Sequence, residues 1–195
     1  MKKVLISSIV LFLLLLGACT NKTTLNNALS EVQLTDREKF LLSSTSEQSF
    51  VFDFQADQKY KQISVWVDQY AFGKLVGEKI NRLTMDIDEK GTLIFTTSQN
   101  VAEEKVKFNI GVQSKSASGK NSMTQREKTT NQSIWGSNPS EEIPIDGIIV
   151  LASISSSNGH GMSSLSPAFY TDFENHLAEI ANYDVVYVLK SEFLE

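Results

Sequence analysis

Residues 105–112 read Lys-Val-Lys-Phe-Asn-Ile-Gly-Val, and every second side chain is apolar: Val106, Phe108, Ile110 and Val112. A β-strand turns successive side chains to opposite faces, so this period of two describes a strand with one dry face and one wet face. The same alternation recurs upstream. Phe50, Phe52 and Phe54 alternate with Val51 and Asp53, and Ile63, Val65 and Val67 with Ser64, Trp66 and Asp68. Leu83, Met85 and Ile87 alternate with Thr84, Asp86 and Asp88, and Leu93 and Phe95 follow across Asp88-Glu89-Lys90-Gly91. That turn sequence between two alternating runs predicts a hairpin. A shorter strand is expected around Leu75-Val76, between Gly73 and Gly77. Half-buried strands in succession, without alternating helices, predict an antiparallel sheet.

Downstream the pattern weakens. Ser114 to Ser133 carries almost no apolar side chain except Ala117 and Met123, which predicts a long exposed loop or a protruding hairpin. Ile143 to Ile154 is nearly continuous in apolar residues, broken by Asp146-Gly147, and reads as one buried strand. Ser155 to Ser166 reads as a Ser/Gly loop around His160. Ser166-Pro167 is a helix start, and Phe169, Phe173, Leu177 and Ile180 are spaced to form one helix face ending near Asn182. Val185 to Leu189 is β-forming and predicts the last strand. Near the start of this region, Thr35 with Glu38 forms a capping box for a short helix. The expected fold is mainly β (α+β): an antiparallel β-sandwich with one C-terminal helix packed on it. The alternative is an open sheet with one face covered by that helix.

The N-terminus has a different character. Met1-Lys2-Lys3 is followed by Val4 to Leu16, apolar except for Ser7 and Ser8, and then by Gly17, Ala18 and Cys19. A short positive region, an apolar core and a small residue describe a secretory signal over residues 1–18. The apolar core is shorter than the roughly 20 residues a membrane span needs. Leu16-Gly17-Ala18-Cys19 resembles the lipobox of bacterial prolipoproteins, and it contains the only cysteine of the chain. The resemblance implies a diacylglyceryl thioether on Cys19 and cleavage between Ala18 and Cys19. Residues 19–33 then read as the lipidated cysteine and a flexible tether, and residues 34–195 as a single extracytoplasmic β-rich domain. The stretch Val65-Trp66-Val67-Asp68-Gln69-Tyr70 is similar to small uncharacterised lipoproteins of Gram-positive bacteria. That resemblance implies a cell-membrane location on the outer face and carries no activity.

Composition removes several classes. One cysteine cannot form a disulfide framework within the chain. With 18 Lys+Arg against 23 Asp+Glu, the chain lacks the basic excess of a nucleic-acid binder. Loss of residues 1–18 would remove Lys2 and Lys3, leaving 16 basic and 23 acidic side chains and a net charge of −7. Such a body is repelled by anionic head groups, so the lipid alone would hold it to the membrane.

Candidate chemistry is sparse. Asp86-x-Asp88-x-Lys90-Gly91 opens like a calcium loop, but Thr97 stands where the twelfth-position acid should be. Asp172, His176 and Glu179 are spaced to share a helix face, yet a catalytic zinc site generally wants a second histidine. His160 lies among serines without a nucleophile elbow. Asp53, Asp57, Asp68, Asp86 and Glu78 supply carboxylates for a hydrolytic pair only if folding brings two into one cleft. Trp66, on the polar side of its strand, Trp135, in a polar connection, and His160 are the candidate ligand or partner contacts. No metal, cofactor or nucleic acid is implied. The reading favours a lipid-anchored binding module without catalytic activity, its partners being the membrane through Cys19 and an envelope protein or ligand. The alternatives are an envelope hydrolase using His160 or a carboxylate pair, and a structural lipoprotein.

Overall fold

The computed structural model describes residues 27–126, 132–159 and 162–195. Its eleven described strands form two antiparallel sheets packed face to face. Sheet A is ordered β7-β6-β5-β2-β1-β9, from Ser118–Arg126 (β7), Lys105–Ser114 (β6), Lys90–Asn100 (β5), Gln48–Gln55 (β2), Ala28–Glu31 (β1) and Ile143–Pro144 (β9). Sheet B is ordered β4-β3-β11-β10-β8, from Lys74–Asp86 (β4), Gln62–Ala71 (β3), Val185–Leu194 (β11), Ile148–Ser157 (β10) and Gln132–Ser137 (β8). The fold is therefore the β-sandwich rather than the open sheet.

The alternating residues meet between the sheets. Phe50, Phe52, Phe54, Leu93, Phe95, Phe108, Ile110 and Val112 of sheet A pack against Ile63, Val65, Val67, Leu151, Leu189 and Phe193 of sheet B. An aromatic chain crosses the gap: Phe50 to Phe95 at 6.2 Å, Phe95 to Phe108 at 6.1 Å and Phe108 to Tyr187 at 4.6 Å between ring centroids. Aromatic pairs at these separations add to the stabilisation that their buried area already provides.

Sheet B is also covered on its outer face. Ser166 caps a helical segment, its hydroxyl accepting from Phe169 N–H. The spacing predicted one continuous helix, but the segment is broken into α2 (Pro167–Thr171), α3 (Phe173–His176) and a 3-10 turn (Leu177–Ile180). Asp172, at φ −143° and ψ 58°, leaves the helical region and separates the first two. The apolar face survives the break. Phe169, Phe173 and Ile180 are buried against Tyr70, Val150, Val186 and Val188 of sheet B. Beneath them lies an ion pair, Lys190 Nζ to Asp68 Oδ2 at 3.0 Å, both side chains over nine-tenths buried. Lys190 also donates to Tyr70 Oη at 3.3 Å and lies 4.0 Å from the centre of the Phe173 ring. Asp68 Oδ1 accepts from Lys79 N–H. Burial, and then the Asp68 charge, push the Tyr70 phenol well above its ordinary range, so it stays protonated and can donate.

Several sequence expectations are corrected. The tether cannot run to residue 33: Ala28–Glu31 is β1, paired with β2 and β9, and Leu29 is fully buried. Strand pairing is thus present from Ala28, and Asn27 O already accepts from Ile145 N–H at 2.9 Å. Asp88-Glu89-Lys90-Gly91 does not close a hairpin, because β4 pairs with β3 while β5 pairs with β2 and β6. It is a crossing between the sheets. Leu75-Val76 and Leu83-Met85 belong to one strand, β4, whose pairing with β3 is interrupted by register shifts. Ile143 to Ile154 is two strands in different sheets, joined through Gly147 at φ +55°. Of the two readings of the polar stretch from Ser114, the hairpin holds, as β6–β7, while Gln132–Ser137 is a further strand, β8. Ser155, Ser156 and Ser157 are strand, not loop. The capping box holds as expected: Thr35 Oγ1 accepts from Glu38 N–H and Glu38 Oε2 from Thr35 N–H, opening α1 (Asp36–Ser43).

The Asp68–Lys190 pair yields a direct test. Replacing Lys190 by alanine strands a buried carboxylate and is expected to cost about 3–5 kcal/mol in urea unfolding of the full chain. Replacing both, Asp68→Leu with Lys190→Met, is expected to recover most of that loss, since no buried charge is then left alone.

Candidate functional site

The four sheet edges differ. At one side β4 faces β7 and β6 across the sandwich: Asn121 Nδ2 of β7 donates to Arg82 O at 2.9 Å, and Asn81 Nδ2 donates to Phe108 O of β6 at 3.2 Å. At the other side β9 is two residues long and ends in proline, and β8 is six residues long. Short or proline-bearing edges cannot template another strand, whereas β8 can.

The orientation of β8 follows from its register. Ser137 pairs with Ala152 and Gln132 with Ser157, and Asn138 N–H continues the ladder to Leu151 O at 2.8 Å. In this register Gln132, Ile134 and Gly136 aim their backbone groups at β10. Ser133, Trp135 and Ser137 aim theirs outward, and among the described residues no strand receives them. The side chains of those three residues lie on the inter-sheet side. Ser133 Oγ is 3.0 Å from Ser156 Oγ, and Ser137 Oγ donates to Glu31 Oε2 at 2.6 Å.

Trp135 stays 52% exposed because the opposite wall is short. β1 ends at Glu31, opposite Phe52; Val32 N–H reaches Val51 O, and the chain then departs toward α1. The inter-sheet gap opens beside the N-terminal residues of β2 that β1 leaves unpaired. A cleft of about 140 Å³ results, bounded by Trp135, Ile154, Phe108 and Tyr187 with Gln48 and Thr97. Glu47 stands at its rim.

A second pocket, about 190 Å³, lies on the other face of the same strand. Ile134, Pro139, Leu165 and Pro167 are its apolar walls. Its polar floor is Ser153, Ser155 and Tyr170, with Ser153 Oγ 2.9 Å from Tyr170 Oη. Burial raises the Tyr170 phenol above its ordinary range, although its bond with Ser153 opposes this. Ser155 Oγ is buried and has no partner among the described residues. Gly136 permits the arrangement, since a Cβ there would lie 2.5 Å from Tyr170 Oη.

The sequence candidates fall in several places. Trp135 is exposed at this edge, as a contact residue must be. Trp66 is 1% exposed under the Lys79 ammonium, 5.2 Å from its ring, so it is no surface contact. The pattern placed it correctly on the outer side of β3 but could not reveal that this side is covered. Ala18, Cys19 and His160 lie outside the described residues. Asp172, His176 and Glu179 do not share a regular helix face, because the helix breaks at Asp172. Glu179 instead accepts from Ser166 N–H at 2.8 Å and Ser166 Oγ at 2.7 Å, and meets His176 Nδ1 at 2.7 Å. Partial burial pushes its carboxyl up, but the Ser166 bonds and His176 outweigh this and hold it below the usual range.

The other carboxylates are dispersed. Asp53 accepts from Thr92 Oγ1 on the outer face of sheet A, within an open depression of about 650 Å³. Asp57 N–H is bonded by Asn27, Asp68 is paired with Lys190, and Asp86 accepts from Gln62. Glu78 is exposed on β4. In the calcium-like stretch, Asp88 accepts from both the hydroxyl and the N–H of Ser116, which lower its carboxyl. Among the described residues no cluster of three His, Cys, Asp or Glu side chains is placed to hold a metal ion. The residues missed from sequence are Ser153, Ser155, Tyr170 and Gly136. The alternation Ser153-Ile154-Ser155 was the available signal, overridden by the serine-rich look of the segment.

Fold and edge together define a two-sheet antiparallel sandwich with one open strand carrying an exposed tryptophan. The profile of the YgaN domain family matches residues 28–193, and the chain belongs to that family. The match begins at the first residue of β1. No curated protein and no solved structure matches the chain.

Fluorescence separates the two tryptophans. The Trp66→Phe chain, retaining Trp135, is expected to emit at long wavelength and to be quenched readily by acrylamide. The Trp135→Phe chain is expected to emit at shorter wavelength and resist the quencher.

Proposed function

We propose that the protein is a lipid-anchored envelope lipoprotein whose sandwich is an interaction module, engaging its partner at the β8 edge. The observation that carries the reading is the position of Cys19, nine residues before Ala28, the first residue of β1. Nine residues span at most about 30 Å. Attached through Cys19, the domain stays close to the bilayer.

The register gives that attachment a direction. Ala28 pairs with Gln55, and Gln55 with Lys90, so the chain enters at the end of the sandwich that those residues form. β10 runs away from that end, and β8 pairs with its far half, Ala152 to Ser157. A domain held by its entry end thus offers β8 and Trp135 to the space beyond the membrane. The net charge of −7 after loss of residues 1–18 favours a body that stands off the bilayer, since anionic head groups repel it. No helix of the described residues is long and apolar enough to cross a membrane.

Two measurements test this. In cells with an active lipidation pathway, Cys19→Ser is expected to abolish labelling by a radioactive fatty acid and to remove the mature protein from the detergent phase. Continued labelling overturns the anchor. A photocrosslinking residue at position 135 is expected to give protein adducts on intact cells, while one at Lys107, on the outer face of sheet A, does not. Adducts from Lys107 alone would place the contact elsewhere.

A further inference from the structure

We infer that the β8 edge receives an extended, basic-flanked polypeptide segment of a partner protein, which adds to sheet B as a sixth strand. This rests on the reading of the domain as an interaction module and specifies what that module binds. Three observations converge on it. The first is the backbone: Ser133, Trp135 and Ser137 each present an outward N–H and C=O, and no described strand receives them. An incoming strand would satisfy all three residues, as in other cases of strand addition to an open edge.

The second observation is the pair of cavities. A strand lying beside β8 would send alternate side chains to its two faces. One face meets the cleft of about 140 Å³ beside Trp135, and the other meets the pocket of about 190 Å³ over Ser155 and Tyr170. Both are below the roughly 300 Å³ at which sites for whole small molecules begin, and both suit single side chains. The pocket over Ser155 has apolar walls and a buried hydroxyl without a described partner. It fits a threonine or serine, whose methyl or methylene meets the walls and whose hydroxyl answers Ser155. The cleft beside Trp135 is bounded by Ile154 and Phe108 and fits an aliphatic side chain.

The third observation is charge. Glu31 lies at the Ser137 end of β8, and Glu47 stands near Ser133 at the other end. Acids at both ends favour lysine or arginine flanking the bound segment. They also disfavour a second copy of this chain. An antiparallel β8–β8 pair would bring Ser137 of one copy beside Ser133 of the other, and hence Glu31 beside Glu47, between two bodies of equal negative charge.

The test is a display selection of random octapeptides on the detergent-solubilised full chain, followed by direct binding of the enriched sequences. The expected winners alternate aliphatic with Thr or Ser residues and carry Lys or Arg at their ends. Ser133→Pro removes one outward N–H and none that faces β10, so the fold should persist, as checked by thermal unfolding. Peptide affinity is expected to fall by about tenfold or more. N-methylation at alternate peptide positions is expected to abolish binding in one phase and spare it in the other. Three results overturn the inference: no enriched peptide, binding indifferent to Ser133→Pro and to N-methylation, or a stable dimer in sedimentation that Ser133→Pro dissociates. Each leaves the anchor and position-135 crosslinking to succeed or fail by themselves.

Discussion

A backbone N–H or C=O at the edge of a sheet must find a partner or face water, and two packed sheets have four such edges. In this protein that constraint orders everything else. β4 and β7 close one side by facing each other through Asn121 and Gly119, whose missing side chain leaves room for the sulfur of Met85, and Asn81 adds a bond from β4 to β6. On the other side β9 stops at Pro144 after two residues. β1 contributes four residues and then leaves for α1. β8 is the edge left open, and its opening exposes Trp135, parts the sheets over Ile154 and Phe108, and leaves room beneath the helical cover for the Ser155 pocket. Natural sheets generally blunt such an edge with charge, proline or a bulge. Here β8 carries none of these within Gln132–Ser137.

The two faces of the sandwich follow a related asymmetry. Sheet B is dry on both faces, between sheet A and the α2–α3 segment. It can therefore carry a buried ion pair on its outer face, whose polar atoms are answered in turn: Lys190 by Asp68 and Tyr70, Asp68 also by the Lys79 N–H. Sheet A is dry on the inner face, while β6 and β7 turn Lys107, Lys120, Ser122 and Arg126 to solvent. Ser122 Oγ donates to Asn109 Oδ1 and Asn109 Nδ2 to Thr96 Oγ1, a polar ladder across three strands. The inner side of β7 meets polar partners as well as β4: Asn121 donates to Arg82 O, and Gln125 Nε2 to Tyr187 Oη at 2.6 Å.

Much of this was legible from residues alone. Strong alternation in β2, β3, β5 and β6 declared a two-sided sheet, and Ser166-Pro167 and Thr35–Glu38 declared two helix starts. What stayed hidden has physical causes. Glu89-Lys90-Gly91 has turn chemistry, but local chemistry does not say which sheet the next strand joins. Ala28–Glu31 is too short for a period to emerge, though Leu29 is one of the best-buried side chains. The Phe169, Phe173, Leu177, Ile180 spacing found the covering face but not the break at Asp172, which lies in backbone angles. At the candidate site, the exposed Trp135 was expected as a contact. The pocket around Ser153, Ser155 and Tyr170 was not, because its parts come from β10 and α2 and meet only through the Gly136 gap. The proposed anchor at Cys19 rests on the lipobox resemblance of Leu16-Gly17-Ala18-Cys19 and lies outside the described residues.

The central claim is that β8 is an open, correctly registered edge, and amide hydrogen exchange on the full chain in detergent tests it most directly. The account predicts alternation along one strand: Ile134 and Gly136 N–H, bonded to β10, exchange slowly, while Ser133, Trp135 and Ser137 N–H, facing outward, exchange orders of magnitude faster. Uniform protection of all five amides in the unliganded monomer would contradict it, because something would then already occupy the edge.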